Sequence, residues 1–238
     1  PGRYNASSLV IPADHPLFDQ ILLNHGYFDE RMCWPGTAGR VDPETHEVIR
    51  NPEGSIEINP HNGPHLDTPD HLDADGLTDG QTRKIYFERM GMLAEDKRIA
   101  FVNISRPDSA DLEIGTRLSK IPEDNEPKIL YIHVTSEQIA AGIPLLSDEV
   151  ITSMSLKNII AVLTNSLSID PVDANISNPA SNHFRLMEQG IVIGERLENV
   201  FDNDNARAEI LVYKDGDDAA IIRLQITPGK FDRRKTAT

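Results

Sequence analysis

Apolar positions along the chain fall in short, separate runs rather than in long amphipathic stripes. Residues 55–58 alternate apolar and polar side chains as a half-buried strand does, and residues 99–104, 128–134 and 159–163 are short, mainly apolar runs of strand length. Ahead of the last run, Ser147 with Asp148 and Glu149 reads as a helix cap. Val150, Ile151 and Met154 then recur at helical spacing as far as Leu156. A helix feeding straight into a buried strand is half of a crossover unit and predicts parallel pairing. Asn178 and Pro179 read as the cap and first turn of a helix that ends at Gly190, with His183 and Met187 one turn apart. Residues 191–193 form a strand carrying Glu195 past its end, and residues 208–213 and 219–226 flank Asp215-Gly216 as a hairpin. Residues 1–50, rich in Pro, Gly and aromatics, keep no period and read as a loop-rich N-terminal segment. The expectation is one α/β domain over residues 1–238.

Composition narrows the class. The 238 residues are 39% hydrophobic and 26% charged, close to ordinary globular chains, so neither a disordered nor a fibrous protein is predicted. A formal net charge of −15 opposes the phosphate attraction on which nucleic-acid binding rests and disfavours anionic membranes. No apolar run approaches a bilayer span, and residues 1–10 lack a basic start followed by an apolar stretch. The prediction is a cytoplasmic protein with a small-molecule substrate and no nucleic-acid or membrane partner. Cys33 is the only cysteine, which excludes an intrachain disulfide and a Cys-x-x-Cys zinc ribbon. Beside Trp34 and Pro35 it reads as packing rather than as a nucleophile.

Histidine is distributed unevenly. Three of the eight, His61, His65 and His71, fall within eleven residues that also hold Asp67 and Asp70. Pro60, Gly63, Pro64 and Pro69 exclude regular helix here, so the stretch is loop or irregular extended chain. In extended chain, residues two apart share a side. His65, Asp67 and His71 can therefore share a face, with Gly63 and Pro64 turning His61 back toward it. Imidazoles and a carboxylate are the donors that suit zinc or manganese, and three protein ligands leave a position open for water. The bland alternative is a set of solvated loop histidines. A calcium loop around Asp73, Asp75 and Gly76 fails at His71 and Thr82, where its first and last ligands should stand.

The segment His61-Asn62-Gly63-Pro64-His65-Leu66-Asp67-Thr68-Pro69-Asp70-His71 resembles the His-x-Gly-Thr-His-x-Asp-x-Pro-x-His signature of the cyclase family, which includes bacterial kynurenine formamidase and isatin hydrolase; it departs at Pro64, where the family has threonine. Ser168-Ile169-Asp170, His183 with Glu195, and Trp34-Pro35-Gly36 resemble further motifs of that family, while residues 88–157 match it only in patches. The resemblance implies a swivelling β/β/α domain, a mixed sheet with flanking helices. It implies that His61, His65 and Asp67 bind one divalent metal, that Asp67, His183 and Glu195 bind a second if two are present, and that His71 is the catalytic proton carrier. It also implies a homodimer or larger homo-oligomer, with Trp34 near the substrate. Read alone, His183 is a helix-face residue, Glu195 a solvated carboxylate and Trp34 core packing. Asp170 reads as a support for the site, and Arg31 and Arg40 as solvated charges that could also hold a substrate carboxylate.

The function these readings predict is hydrolysis of a small amide, cyclic amide or lactone by a metal-activated water. The chain shows no Gly-x-Ser-x-Gly elbow, His-Glu-x-x-His helix or Gly-x-x-x-x-Gly-Lys loop that would support another route. A non-catalytic metal-binding protein and a metal-dependent lyase or dehydratase of a small acid are the alternatives that share the same motif.

Overall fold

The computed structural model describes residues 9–16, 18–25, 42, 44–45, 49–58, 60–72, 79–197, 207–214 and 219–227. The N-terminal segment is more than loop. Strand β1 (Leu9–Ile11) pairs antiparallel with β2 (Ile56–Ile58), and helix α1 (Phe18–His25) packs Phe18 and Ile21 against Ile11, Ile56 and Ile58 in a small core of its own. The alternation at residues 55–58 marks β2, but sequence pattern misses β1 and α1 because a three-residue strand and a two-turn helix are too short to establish a period.

The remaining strands close into a ring. They are β3 (His65–Asp67), β4 (Lys97–Ile104), β5 (Lys128–Val134), β6 (Ile159–Thr164), β7 (Val192–Glu195), β8 (Arg207–Lys214) and β9 (Ala219–Thr227), in the order β3-β7-β6-β5-β4-β8-β9 and back to β3. The four strands β4 to β7 are parallel neighbours, whereas β3 and the β8–β9 hairpin run antiparallel to theirs. Every residue of β6 is buried, as a central parallel strand covered on both faces requires. The predicted mixed α/β sheet with flanking helices is therefore what forms, and the predicted strands and terminal hairpin are present within two residues at either end.

Helices α2 (Gly80–Met92), α3 (Ala110–Ser119), α4 (Asp148–Leu156) and α5 (Asn182–Glu188) flank these strands. Helix α3 buries Ala110, Ile114 and Leu118 at four-residue spacing, and α4 starts at its predicted cap, where Ser147 Oγ accepts from the Val150 amide. Helix α5 begins later than predicted. Asn178 spends its side chain on an Asx turn to the Ala180 amide, Pro179 lies in that turn, and Ser181 caps the helix through the Phe184 amide. Glu195 is the last residue of β7 rather than a residue beyond it. Among the described residues no helix is long and apolar enough to cross a membrane. Cys33, Trp34, Arg31, Arg40, Asp73, Asp75, Gly76, Asp215 and Gly216 lie outside the described residues.

Candidate metal centre

The histidine-rich stretch is neither helix nor plain loop. Pro60–Asn62 and Pro69–His71 are single 3₁₀ turns opened by proline, whose fixed φ suits the first helical position, and β3 lies between them. Within β3 the two-residue alternation buries Leu66 in the hydrophobic core and sends His65 and Asp67 to the other face. The antiparallel register sets His65 opposite Glu195 of β7. A sharp turn, in which the His71 amide donates to the Thr68 carbonyl at 2.9 Å, brings His71 back over Asp67.

Six side chains converge as a result. Asp67 Oδ1 lies 3.3 Å from His65 Nε2, 3.6 Å from His61 Nδ1 and 3.9 Å from His71 Nε2, while Asp67 Oδ2 lies 3.3 Å from His183 Nε2. Glu195 Oε1 is 3.3 Å from His183 Nε2, and Oε2 is 3.6 Å from His65 Nε2. The rings of His61 and His71 are 4.4 Å apart. Two tight donor triads stand out, His61 with Asp67 and His71, and His65 with Asp67 and Glu195. Asp67 belongs to both.

Each donor is held from behind. His65 Nδ1 donates to the Gly63 carbonyl at 2.8 Å and His183 Nδ1 to Asp170 Oδ2 at 2.7 Å, which fixes both neutral rings in the tautomer whose Nε2 lone pair faces the cluster. Asp170 is itself positioned by the Asn182 and His183 amides at the start of α5. Glu195 Oε1 accepts from the Ile169 amide at 2.7 Å. From α2, the buried Tyr86 hydroxyl donates to the Asp67 carbonyl at 2.9 Å and accepts from the Ile193 amide at 3.0 Å, so one oxygen ties β3 to β7. Arg196 Nη1 donates to the His61 carbonyl at 3.0 Å.

The electrostatics are those of a site built around positive charge. Burial alone would raise the Asp67 carboxyl, yet the surrounding histidines hold it well below the ordinary range, so it is ionised. It has no exposure to solvent, and among the described residues no hydrogen bond reaches its Oδ1. Burial opposes protonation of His65 and His183. Asp67 and Glu195 outweigh it for His65, as Glu195 and Asp170 do for His183, and both titrate above the ordinary histidine value. His71 goes the other way, pushed down to about 3 by burial despite the attraction of Asp67, with the other histidines adding to the fall. Burial and the Asp67 charge keep the Tyr86 phenol protonated.

These donors fit a divalent ion. Nitrogen and oxygen ligands bound at about 2.0–2.1 Å around a tetrahedral ion lie roughly 3.3 Å apart, close to the spacings of His65, His183, Asp67 and Glu195 here. The lone-pair side of His65 Nε2 also faces His61 Nδ1 at 2.9 Å. A cation between inward-facing nitrogens and an unpartnered buried carboxylate oxygen would satisfy all three.

The predicted residues His61, His65, Asp67, His71, His183 and Glu195 are thus all brought together, and Asp170 stands behind them. Trp34 lies outside the described residues. Asp70, within the same motif, instead faces outward and pairs with Arg83. Sequence reasoning missed Tyr86 and Arg196. Helix α2 buries only Tyr86, so no apolar stripe marks it, and nothing in the pattern around Arg196 separates it from a solvated charge.

Comparison with known proteins follows the same line. No protein-family model matches the chain. The kynurenine formamidase of Bacillus cytotoxicus is 26% identical over an alignment covering 74% of this chain and 81% of that protein. An isatin hydrolase bound to the product analogue thioisatinate superposes with a TM-score of 0.56 at 14% identity, covering 89% of this chain and 96% of the other. Isatin hydrolase A from Labrenzia aggregata, bound to benzyl benzoate, superposes with a TM-score of 0.54 at 13% identity, covering 94% of each chain. This chain has the isatin hydrolase fold. Its resemblance to the cyclase family therefore extends from the motif around His61 to nearly the whole architecture.

Proposed function

We propose that the chain is a metal-dependent hydrolase of a small amide, cyclic amide or lactone. In this reading His61, His65, Asp67, His183 and Glu195 hold one or two divalent ions, zinc or manganese, and His71 carries the proton. The observation that carries it is Asp67 Oδ1, an ionised, fully buried carboxylate oxygen with no hydrogen bond among the described residues and three imidazole nitrogens around it. Leaving a charge in that state is expensive, and a divalent cation is the partner the donor set suits. When bound, such an ion polarises a substrate carbonyl and eases deprotonation of water.

The protein's own part is positioning and proton transfer. His65 and His183 present fixed lone pairs, and Glu195 and Asp67 balance the cationic charge. Beside Asp67, His71 is the imidazole assigned to move the proton between the attacking water and the leaving nitrogen or oxygen, with Asp67 Oδ1 at 3.9 Å from its Nε2 favouring the protonated form. Similarity to a kynurenine formamidase and the fold shared with isatin hydrolases favour a carbon–nitrogen bond as the one cleaved. Trp34 as a wall for the substrate, a homodimer or larger homo-oligomer, and a cytoplasmic location belong to the same reading.

Metal analysis by mass spectrometry on protein purified without chelator tests it, with His65→Ala and Asp67→Ala beside the wild type. Zinc or manganese in the wild type, lost in both variants, together with oxygen-18 incorporation from labelled water into the product of an aryl formamide, isatin or a lactone, is the expected result. Metal bound without turnover of any of these would make the protein a binder. A product lacking solvent oxygen would make it a lyase, and a metal-free wild type that hydrolyses amides would overturn the proposal.

A further inference from the structure

Arg196 is one of two residues other than glycine that adopt positive φ among the described residues, at +59°, and it directly follows the candidate ligand Glu195. A left-handed backbone is unfavourable for a long side chain and persists only where surrounding contacts impose it. Those contacts are present on both sides. The Arg196 amide donates to the Ser166 carbonyl and the Leu197 amide to the Thr164 carbonyl, which hold the chain against the end of β6 as it leaves β7. From there the guanidinium reaches back to the His61 carbonyl, across 135 residues of sequence. Within the 3₁₀ turn that carries His61, the Gly63 amide lies 3.5 Å from the Pro60 carbonyl, a long hydrogen bond.

We infer that Arg196 is a positioning residue that clamps the His61 turn to the strand bearing Glu195, joining the donors of the N-terminal motif to those of the C-terminal one. This rests on the metal-centre reading above and deepens it. The backbone strain at Arg196 is sustained because it aims the guanidinium at His61. In a purely architectural turn, glycine would meet the same φ without strain. Relief of the left-handed backbone should therefore offset the lost hydrogen bond in stability while metal affinity falls, a split that a merely structural arginine would not produce.

The experiment compares wild type with Arg196→Gly, Arg196→Asn and Arg196→Lys. Zinc affinity is read by chelator competition, and folding by thermal unfolding of the metal-free proteins. Arg196→Gly is expected to unfold within a few degrees of wild type while zinc affinity falls roughly 10- to 100-fold, the range seen when a group supporting a ligand is removed. Arg196→Lys, which keeps a cationic donor, should recover part of that loss. Wild-type zinc affinity in Arg196→Gly overturns the inference. If that variant does not fold, Arg196→Asn, which tolerates left-handed backbone, decides the matter on the same terms. A wild type that takes up no zinc or manganese defeats the metal reading instead. The clamp is then read from amide hydrogen exchange at residues 61–63 in metal-free protein, where Arg196→Gly should speed exchange and an unchanged rate rejects it.

Discussion

Tyr86→Phe removes a single oxygen from the protein interior and keeps the ring in place. That oxygen lies on a side chain with no solvent exposure, where it donates to the Asp67 carbonyl at 2.9 Å and accepts from the Ile193 amide at 3.0 Å. Phenylalanine leaves a buried donor on β7 and a buried acceptor on β3 without that partner. An unsatisfied buried polar group costs about 1–3 kcal/mol, so the pair should cost about 2–4 kcal/mol once the second lone pair of the carbonyl is allowed for. For a chain of this length, that corresponds to a fall of roughly 5–15 °C in melting temperature. Urea unfolding of metal-free protein with the slope m unchanged is the assay, and faster hydrogen exchange at the Ile193 amide is the local signature. Zinc affinity should fall as well, because the same hydroxyl fixes the backbone of Asp67. A Tyr86→Phe unfolding free energy within about 0.5 kcal/mol of wild type would refute the view that this phenol holds β3 and β7 in register around the centre.

Other perturbations have equally definite outcomes. His71→Ala should leave zinc content near that of the wild type while turnover drops by roughly 10²–10⁴, the usual worth of a positioned acid or base, and unchanged turnover removes His71 from the chemistry. In metal-free protein His65 and His183 titrate above the ordinary 6.5, so the folded chain binds more protons than the unfolded one. Their contribution is full below pH 6.5 and lost as pH rises through the folded values, and metal uptake near pH 7 should release protons. His71, held near 3, acts oppositely and removes stability as pH falls from 6.5 toward 3. Urea midpoints of chelated protein between pH 6.5 and 9 and calorimetry in buffers of different ionisation enthalpy check this, and a midpoint rising across that range contradicts it. Gly142 and Gly115 form a contrasting pair. A Cβ on Gly142, at φ +78°, would sit 1.9 Å from the Asp170 carbonyl oxygen, so Gly142→Ala should disturb the His183 support and lower both melting temperature and metal content. On helix α3, a Cβ on Gly115 meets nothing within 4 Å, and Gly115→Ala should stabilise by about 0.4–1 kcal/mol in the same melt.

The elements legible in the sequence are those whose residues interact with near neighbours or with a continuous core. β5 is readable in the sequence because residues 128–134 are a short, mainly apolar run centred on Ile129 to Ile132, and α4 because Ser147 caps it locally. The start of α5 is not, since Asn178-Pro179 and Ser181 are both competent caps and only the Asx turn that Asn178 makes to Ala180 separates them. Helix α2 escaped notice for a related reason: it buries only Tyr86, with Met90 and Met92 partly buried against the core, so no continuous apolar stripe marks it.

At the centre, the crowding of His61, His65, Asp67 and His71 into eleven residues determines by itself that imidazole and carboxylate meet, because proline-limited turns and strand alternation act over a few bonds. Which remote groups complete that cluster was settled only by the closed ring of strands. The antiparallel register of β3 with β7 sets His65 against Glu195, and the packing of α5 brings His183 to Asp67. Tyr86 and Arg196 take their places through contacts 107 and 135 residues apart in the chain. Such contacts leave no local periodicity, since their geometry exists only after the sheet has closed.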